Sequence, residues 1–154
     1  MRFKEWLEDE FVKHETSDGI ELSYRGAEPS GSIYAKRDVR NPNLYRVTRV
    51  WVKPEGRGYG KRLYLAILDL VSKRGGLLCS AGNSTSDSAA KIWISLYLSN
   101  NVEKVPLNYR DWPESGRNRF LLGRYPDLRY SDLGSYPPSS DVEFWAFNSG
   151  YRVK

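Results

Sequence analysis

The sequence predicts a single α+β domain, and two observations support this class. Strand-type runs bounded by turn residues fill much of the first third of the chain, and a strand, a glycine turn and a helix-type segment follow in the middle. A chain of 154 residues, 40% hydrophobic and 14% aromatic, can bury one substantial core and is too short for two ordinary domains. One domain over residues 1–154 is therefore expected.

The first elements are predicted from the spacing of apolar residues. Phe3, Leu7 and Phe11 recur at helical intervals and predict a charged amphipathic first helix. The only histidine, His14, is expected to be a solvated residue of that helix. Runs of strand-forming residues, bounded by Gly, Pro and Ser, then predict three strands. These strands are expected over Ile20–Arg25, Ser32–Lys36 and Leu44–Val52.

The stretch from Pro54 to Arg62, Pro-Glu-Gly-Arg-Gly-Tyr-Gly-Lys-Arg, is the most informative in the chain. It lies between the strand that ends at Val52 and a helix predicted from Leu63 onward. Glycines permit positive φ and a close approach of the backbone to a ligand, and the N–H groups of a helix's first turn complement phosphate oxygens. Lys61 adds positive charge there, as does Arg62. The stretch therefore predicts a pyrophosphate-binding turn.

Two common phosphate motifs do not fit this turn. A Walker pattern requires Gly-x-x-x-x-Gly-Lys-Ser/Thr, but Glu55 stands at the first glycine position and Arg62 stands where the magnesium-binding hydroxyl is needed. The Rossmann fingerprint requires Gly-x-Gly-x-x-Gly, whereas Gly56, Gly58 and Gly60 are evenly spaced. Magnesium-dependent nucleotide hydrolysis and dinucleotide binding of the Rossmann type are therefore not expected.

The turn resembles the acetyl-CoA motif of the GNAT superfamily of N-acetyltransferases. That motif has Val-x-Pro on a strand, then Gln/Arg-x-x-Gly-x-Gly/Ala, then an amphipathic helix. Counted forward from Pro54, it places Arg57 at the Gln/Arg position and Gly60 at the first glycine, but leaves Arg62 where Gly or Ala is expected. With the elements downstream, the resemblance covers roughly residues 45–100.

A second alignment of the motif is obtained by counting back from the helix. It makes Gly58-Tyr59-Gly60 the Gly-x-Gly, puts Glu55 at the Gln/Arg position and shortens the loop by two residues. This register is preferred because it keeps the apolar positions of the helix at core-facing spacing. Those positions are Leu63, Ile67, Leu70 and Val71.

A further part of the family pattern follows downstream. Leu77–Ser80 predicts a buried strand, and Ser84–Asp87 supplies N-cap residues for a helix that ends at about Leu98. In the family this helix often reads Asn-x-x-Ala-x-x-x-Tyr, and Ala89 and Trp93 occupy the Ala and Tyr positions. The apolar stripe of the helix consists of Ala89, Ile92, Trp93, Leu96 and Tyr97.

The family's tyrosine at this place often serves as general acid, a role that the indole of Trp93 cannot take. Trp93 is therefore expected to be a core residue. Tyr97, one turn further on, is the candidate acid, and a purely structural role in the core is its alternative.

The resemblance implies a GNAT-like domain with a mixed, mostly antiparallel sheet flanked by helices. It also implies transfer of an acetyl or other acyl group from acetyl-CoA to an amine. The amides from about Arg57 to Arg62 would hold the pyrophosphate, assisted by the side chains of Arg57 and Lys61. The cofactor-binding residues so implied are Val50, Trp51, Val52, Arg57, Gly58, Tyr59, Gly60, Lys61 and Arg62.

The family chemistry needs three further groups. A backbone N–H near Trp51 and Val52 would polarise the thioester carbonyl. The strand before the turn holds arginines but no carboxylate, so the general base is expected to be Glu55 or Asp38, acting through water. Tyr97 would protonate the departing thiolate.

The last third of the chain is the hardest to predict. The section from Asn108 to Asp141 is rich in Pro, Gly, Arg and aromatic residues and is expected to carry acceptor specificity. Five arginines and five aromatics alternate between Tyr109 and Tyr130, a composition suited to a macromolecular or anionic acceptor such as a protein or RNA. A final strand is expected over Val142–Phe147.

Composition gives weaker indications. The net charge of +5 and the pI of about 9.3 suit an anionic cofactor or nucleic acid, and also ordinary solubility. The single cysteine, Cys79, excludes an internal disulfide and has no metal-ligand spacing around it, so no metal is expected. No apolar run approaches a membrane span and the start does not resemble a signal peptide, so cytoplasmic residence without membrane contact is expected.

Two other function classes remain open at this stage. The chain would be a non-catalytic module if it kept the GNAT-like fold but lost the chemistry. It would instead be a small basic nucleic-acid or protein binder if the glycine stretch were only a tight strand-to-helix turn. Binding of acetyl-CoA separates the two interpretations of the turn, and turnover separates an enzyme from an inactive module.

Overall fold

The computed structural model describes residues 9–81, 87–107, 127, 129 and 140–154. Within these residues the chain is α+β, with one seven-stranded, mostly antiparallel sheet and three helices. The strands are β1 (Phe11–Thr16), β2 (Gly19–Tyr24), β3 (Ser30–Arg37), β4 (Leu44–Lys53), β5 (Leu77–Cys79), β6 (Val102–Pro106) and β7 (Ser149–Val153). The helices are α1 (Tyr59–Lys73), α2 (Asp87–Leu98) and α3 (Val142–Phe147). The strand order in the sheet is β1-β2-β3-β4-β5-β7-β6.

The first four strands form an antiparallel meander. Alternate residues of β2 and β3 point to one face and are buried there, among them Leu22 and Ile33, which lie opposite each other. This alternation is the period-two pattern expected of a sheet with one covered face. The three strands predicted for this region are confirmed, with bounds that differ by one or two residues.

Helix α1 covers the inner face of this sheet and connects its parallel strands. It packs against β2, β3, β4, β5 and β7. Its buried residues follow the helical spacing predicted from the sequence, and the helix joins β4 to β5, the parallel pair among the described strands. The buried residues are Leu63, Tyr64, Ala66, Ile67, Leu68 and Val71.

The prediction that His14 lies in a helix is wrong. Residues 9 and 10 are helical, but the chain enters β1 at Phe11, whose ring centroid lies 4.8 Å from that of Tyr24 on β2. His14 is an exposed strand residue opposite Glu21. The four-residue spacing of Phe3, Leu7 and Phe11 predicted a helix that continues past Phe11. From Phe11 onward, however, the pairing of β1 with β2 determines the structure. The remainder of the predicted first helix lies outside the described residues.

The prediction of a final strand over Val142–Phe147 is also wrong. This segment is α3, and Asp141 is its N-cap, with a carboxylate that accepts a hydrogen bond from the N–H of Phe144 at 3.0 Å. The last strand is β7, which begins at Ser149, pairs with β6 and contacts β5. Aromatic and β-branched residues suggested a strand, but the cap and the inward packing of Phe144 favour a helix.

No helix among the described residues is long and apolar enough to cross a membrane. The same part of the chain contains no cluster of three or more His, Cys, Asp or Glu side chains that could hold a metal ion. Cys79 is fully buried in β5, and burial raises the pKa of its thiol to about 12, so it is a protonated core residue.

Candidate cofactor site

Strands β4 and β5 pair over a short distance and then separate. Their parallel register begins at Leu44 opposite Leu77 and ends at Arg46 opposite Cys79. Strand β4 continues to Lys53, and over this length its partner among the described strands is β3 on the other side. Because successive residues of a strand direct their backbone groups to alternate sides, some N–H and C=O groups of this section point away from β3. No described strand pairs with them, so within the described residues they form an open edge beside the start of α1.

The glycine turn brings the chain from this open edge into α1. Gly56 and Gly58 have positive φ, at 73° and 81°, as the sequence predicts for the turn. Gly58 is also the N-cap, so no side chain caps the helix, and its first turn contains no acidic residue. The helix begins at Tyr59, one turn earlier than the Leu63 predicted from the sequence.

Within the part of the chain that the structure describes, the start of α1 therefore presents unpaired donors. The first intrahelical hydrogen bond runs from the N–H of Arg62 to the carbonyl of Gly58 at 3.2 Å. The N–H groups of Tyr59, Gly60 and Lys61 precede it and have no helical acceptor. Gly60 has no positive φ, and a Cβ added to it would make ordinary contact with the Val52 side chain at 3.9 Å.

Two residues that the sequence analysis did not identify hold this helix start in place. The hydroxyl of Tyr24 donates to the carbonyl of Tyr59 at 2.7 Å, and the carboxylate of Glu10 accepts from the guanidinium of Arg62 at 2.6 Å. Burial, together with the nearby Glu10 charge, raises the pKa of Tyr24 to about 12, so this hydroxyl stays protonated. No local pattern relates these residues to the turn, because they precede their partners Tyr59 and Arg62 by 35 and 52 positions.

The cationic side chains of the turn are placed differently from one another. Arg57 is exposed in the turn, and Lys61 is exposed in the first turn of the helix. Arg62 is already paired with Glu10, so its charge is largely offset. The structure thus separates two cations that are open to a ligand from one that supports the fold.

The remaining predicted cofactor-binding residues lie on the open section of β4. Val50 and Val52 are half-buried against the core, and Trp51 points to the opposite face, where it is 52% exposed. The side chain of Trp51 therefore lies on the outer side of the sheet, and only its backbone borders the opening. The structure brings these three residues next to the glycine turn through the continuity of β4.

A groove of about 570 Å³ runs between α1 and α2. It begins at Lys61 in the first turn of α1, passes Leu65 and Ile92, and ends near Ser99 and Val153. The N–H of Val153 donates to the hydroxyl of Ser72 near the end of α1, and Val153 pairs with Val102 just after α2. The ends of both helices therefore lie at the same end of the groove, and the helices run in the same direction. The volume is within the range of small-molecule sites. The other lining residues are Leu68, Asp69, Ser95, Leu96, Asn101 and Val102.

The structure does not bring Tyr97 to the glycine turn. Tyr97 lies in the last turn of α2, where the ammonium of Lys104 on β6 lies 5.2 Å from its ring centroid. Ten residues separate it from the first residue of α2, which corresponds to about 15 Å along the helix axis. Because the two helices run in the same direction, this end of α2 lies beside the end of α1 opposite the turn.

Trp93 is a core residue, as expected. Its side chain is 1% exposed and lies between Tyr151 of β7, with ring centroids 5.6 Å apart, and Tyr64 of α1, with centroids 5.4 Å apart. Burial raises the pKa of Tyr64 to about 12, so this hydroxyl is protonated at neutral pH.

The two candidate bases lie at opposite ends of β4. Glu55 is exposed in the turn, next to the start of α1. Asp38 lies beside the other end of the strand, where its N–H donates to the carbonyl of Leu44. Burial alone would raise the pKa of Asp38, but hydrogen bonds from the N–H groups of Asn41 and Arg40 and from the Arg46 side chain outweigh it and lower this pKa. Asp38 is thus a weak base that stabilises the β3–β4 loop.

The section from Asn108 to Asp141, to which acceptor specificity is assigned, lies almost entirely outside the described residues. The same holds for the N-cap residues Ser84, Thr85 and Ser86 before α2, although α2 itself is confirmed. Comparison with protein-family models, with curated proteins and with solved structures finds no match to this chain.

Proposed function

We propose that the chain is a GNAT-like N-acetyltransferase that transfers an acetyl or other acyl group from acetyl-CoA to an amine. The observation that carries the proposal is the opening between β4 and β5 beside a helix start without a side-chain cap. Two glycines with positive φ precede that helix, and two exposed cations accompany it. The arrangement combines an apolar cleft with a site for an anion, which suits a ligand with an apolar arm and a pyrophosphate.

The residues of the turn fit the phosphate groups of CoA. The amides at the start of α1 would donate to phosphate oxygens, and Arg57 and Lys61 would add charge-assisted hydrogen bonds. Lys61 also lines the groove between α1 and α2, so the anion site and the groove are continuous.

The chemistry is proposed at the open edge of β4. Acetyl-CoA supplies an activated acyl group, and the chain must orient its carbonyl and accept a proton from the amine. A backbone N–H near Trp51 and Val52 would polarise the carbonyl, because that section of β4 is unpaired on the side of β5. Glu55 is the base that the geometry favours, acting through water, because it lies at the turn whereas Asp38 does not.

The proposal is tested first by binding and then by turnover. Mass spectrometry of the protein purified under native conditions is expected to detect co-purified CoA, and calorimetry is expected to show saturable binding of acetyl-CoA. Release of free thiol in the presence of a panel of amines, peptides and RNA would then demonstrate transfer. Absence of acetyl-CoA binding contradicts the proposal. Binding without thiol release for any acceptor favours the non-catalytic module instead.

Tyr97→Phe is expected to leave turnover within about twofold of wild type. Tyr97 lies at the far end of α2, against Lys104, away from the open section of β4 near Trp51 and Val52 where the thioester carbonyl is proposed to bind. A general acid contributes a factor of about 10² to 10⁴, so loss of such a group would be evident. The measurement is kcat with acetyl-CoA and the best acceptor found above. A fall in kcat of tenfold or more, with unchanged acetyl-CoA affinity, would restore Tyr97 as the acid.

The acceptor is proposed to be a macromolecule or an anionic molecule that contacts the section from Asn108 to Asp141. The support is the sequence composition of that section, five arginines and five aromatics between Tyr109 and Tyr130. A small polycation would prefer an acidic cleft. The acceptor panel therefore includes small cationic amines, and a preference for one of them contradicts this part of the proposal.

A further inference from the structure

The outer face of β3 and β4, opposite the face that α1 covers, carries a row of cations around one exposed tryptophan. Trp51 is 52% exposed there, and Arg49 and Lys53 lie two residues to either side of it on β4. At about 3.4 Å per residue, each of these cations lies roughly 7 Å along the strand from the tryptophan. The outer strip, as we call it, consists of Lys36, Arg46, Arg49, Trp51 and Lys53.

A β-bulge places all the cations of the outer strip on one face. The register of β3 and β4 shifts between Tyr34 and Ala35, so that Tyr34 lies opposite Arg49 and Ala35 lies opposite Val47. Thr48 is the extra residue. Without it, strict alternation would send Arg46 to the face opposite Arg49, because the two are an odd number of positions apart. The bulge keeps Arg46 on the outer face, opposite Lys36.

The charges of the outer strip are only partly compensated. Glu21 has an oxygen 3.9 Å from the Arg49 guanidinium, and Asp38 is bound to Arg46 at 3.1 Å. The Arg49 side chain is 71% exposed despite its contact with Glu21. Lys36 and Lys53 are exposed and form no ion pair with a described residue, so an anionic partner would complement them.

The neighbours of Trp51 leave its ring accessible. The residue opposite it on β3 is Ser32, and the residue opposite Ser32 on β2 is Ser23. These short side chains form a flat, hydroxyl-lined floor beside the indole. Tyr34, by contrast, has the Arg49 guanidinium 5.1 Å from its ring centroid. Trp51 is therefore the stacking surface of the strip, with cations on both sides.

We propose that the outer strip binds single-stranded RNA, with a base stacked on Trp51 and the flanking phosphates bound by Arg49 and Lys53. Unpaired bases stack on exposed aromatic side chains of sheet faces, and cations along the strand bind the backbone. The hydroxyls of Ser32 and Ser23 are placed to contact the ribose 2′-hydroxyl, which distinguishes RNA from DNA. This proposal goes beyond the acetyl transfer and does not depend on it.

The same face suits other anionic partners less well. An acidic peptide would use the cations but not the exposed indole between them. Duplex nucleic acid offers phosphates but keeps its bases stacked internally, so Trp51 would gain no partner. Base stacking therefore distinguishes single-stranded RNA from these alternatives. The outer strip supplies both the aromatic ring and the cations that binding of single-stranded RNA requires.

The test is fluorescence anisotropy of a labelled 12-nucleotide oligouridylate at several salt concentrations, without CoA. Trp51→Ala is expected to weaken binding by about five- to hundredfold, and Trp51→Phe to retain most of it, because a base–aromatic stack is worth about 1–3 kcal/mol. The double variant Arg49→Ala/Lys53→Ala is expected to reduce the slope of log affinity against log salt by about 1.4, because each phosphate contact contributes about 0.7 on a single strand.

The matched control is Lys91→Ala/Lys154→Ala, which removes two exposed cations that lie outside the outer strip. It is expected to change the salt slope much less, and thermal unfolding of every variant verifies the fold. Equal slopes for the two double variants, or unchanged affinity in Trp51→Ala, would overturn the proposal. So would tighter binding of an RNA duplex or of polyglutamate, and equal binding of oligodeoxyuridylate would refute the preference for RNA.

Discussion

Gly58→Val is expected to weaken acetyl-CoA binding at least tenfold. Gly58 has a φ of 81°, a conformation that costs a residue with a Cβ about 1–2 kcal/mol and a β-branched residue more. The substituted turn should relax toward negative φ and redirect the first N–H groups of α1. A charge-assisted hydrogen bond to phosphate is worth about 1.5–3 kcal/mol, so loss of two of them would reduce the affinity by at least about a hundredfold.

The control for this variant is Gly75→Val. Gly75 follows α1 at its other end, with a φ of 74° and, like Gly58, no atom within 4 Å of an added Cβ. The two substitutions therefore share the same backbone strain, and only one lies at the proposed pyrophosphate site. Calorimetry with acetyl-CoA compares them with wild type. Equal affinities for the two variants would show that the turn does not hold the ligand.

The glycine turn illustrates what the sequence can predict. Three glycines within five residues, between an apolar strand and a helix with apolar residues every three to four positions, leave few local structures to choose from. The positive φ of Gly56 and Gly58 follows from this local chemistry, and the structure confirms it. Only the first residue of α1 is misplaced, because Tyr59 and Gly60 carry no apolar signal of their own.

The two errors in secondary structure have different causes. His14 belongs to a strand because Phe11 packs against Tyr24, a contact with no signature in the adjacent sequence. Helix α3 forms because Asp141 caps it and Phe144 turns into the core, and this cap is a local signal that the strand prediction did not use. The pairing of Glu10 with Arg62 is a distant contact like that of Phe11 with Tyr24, and it changes the role of an arginine that the sequence assigns to phosphate.

The candidate site likewise has one part that the sequence predicts and another part that depends on tertiary structure. The residues of β4 and the turn are neighbours in sequence, so their proximity needs no tertiary information. The relation of Tyr97 and Asp38 to the turn depends on the direction of α2 and on the length of β4, which spans about 30 Å. The structure places both away from the turn, at the far ends of these elements.

Trp93→Ala is expected to destabilise the protein by about 3–5 kcal/mol, the range for deleting a large buried aromatic side chain. Trp93 joins three elements, because it stacks on Tyr151 of β7 and meets Tyr64 of α1 edge to face. Tyr151 in turn donates its hydroxyl to the carbonyl of Ala146 in α3 at 2.7 Å. Loss of the indole would leave a cavity bordered by all of these elements, with no exposed side chain able to fill it.

Urea denaturation followed by far-ultraviolet circular dichroism measures this loss, since the signal does not depend on the tryptophan removed. The matched control is Trp51→Ala, the same substitution at a residue that is 52% exposed, which is expected to cost about 1 kcal/mol or less. Because both variants replace Trp by Ala, the difference in their free energies of unfolding reports the effect of burial. Similar stability in the two variants would contradict the core role of Trp93.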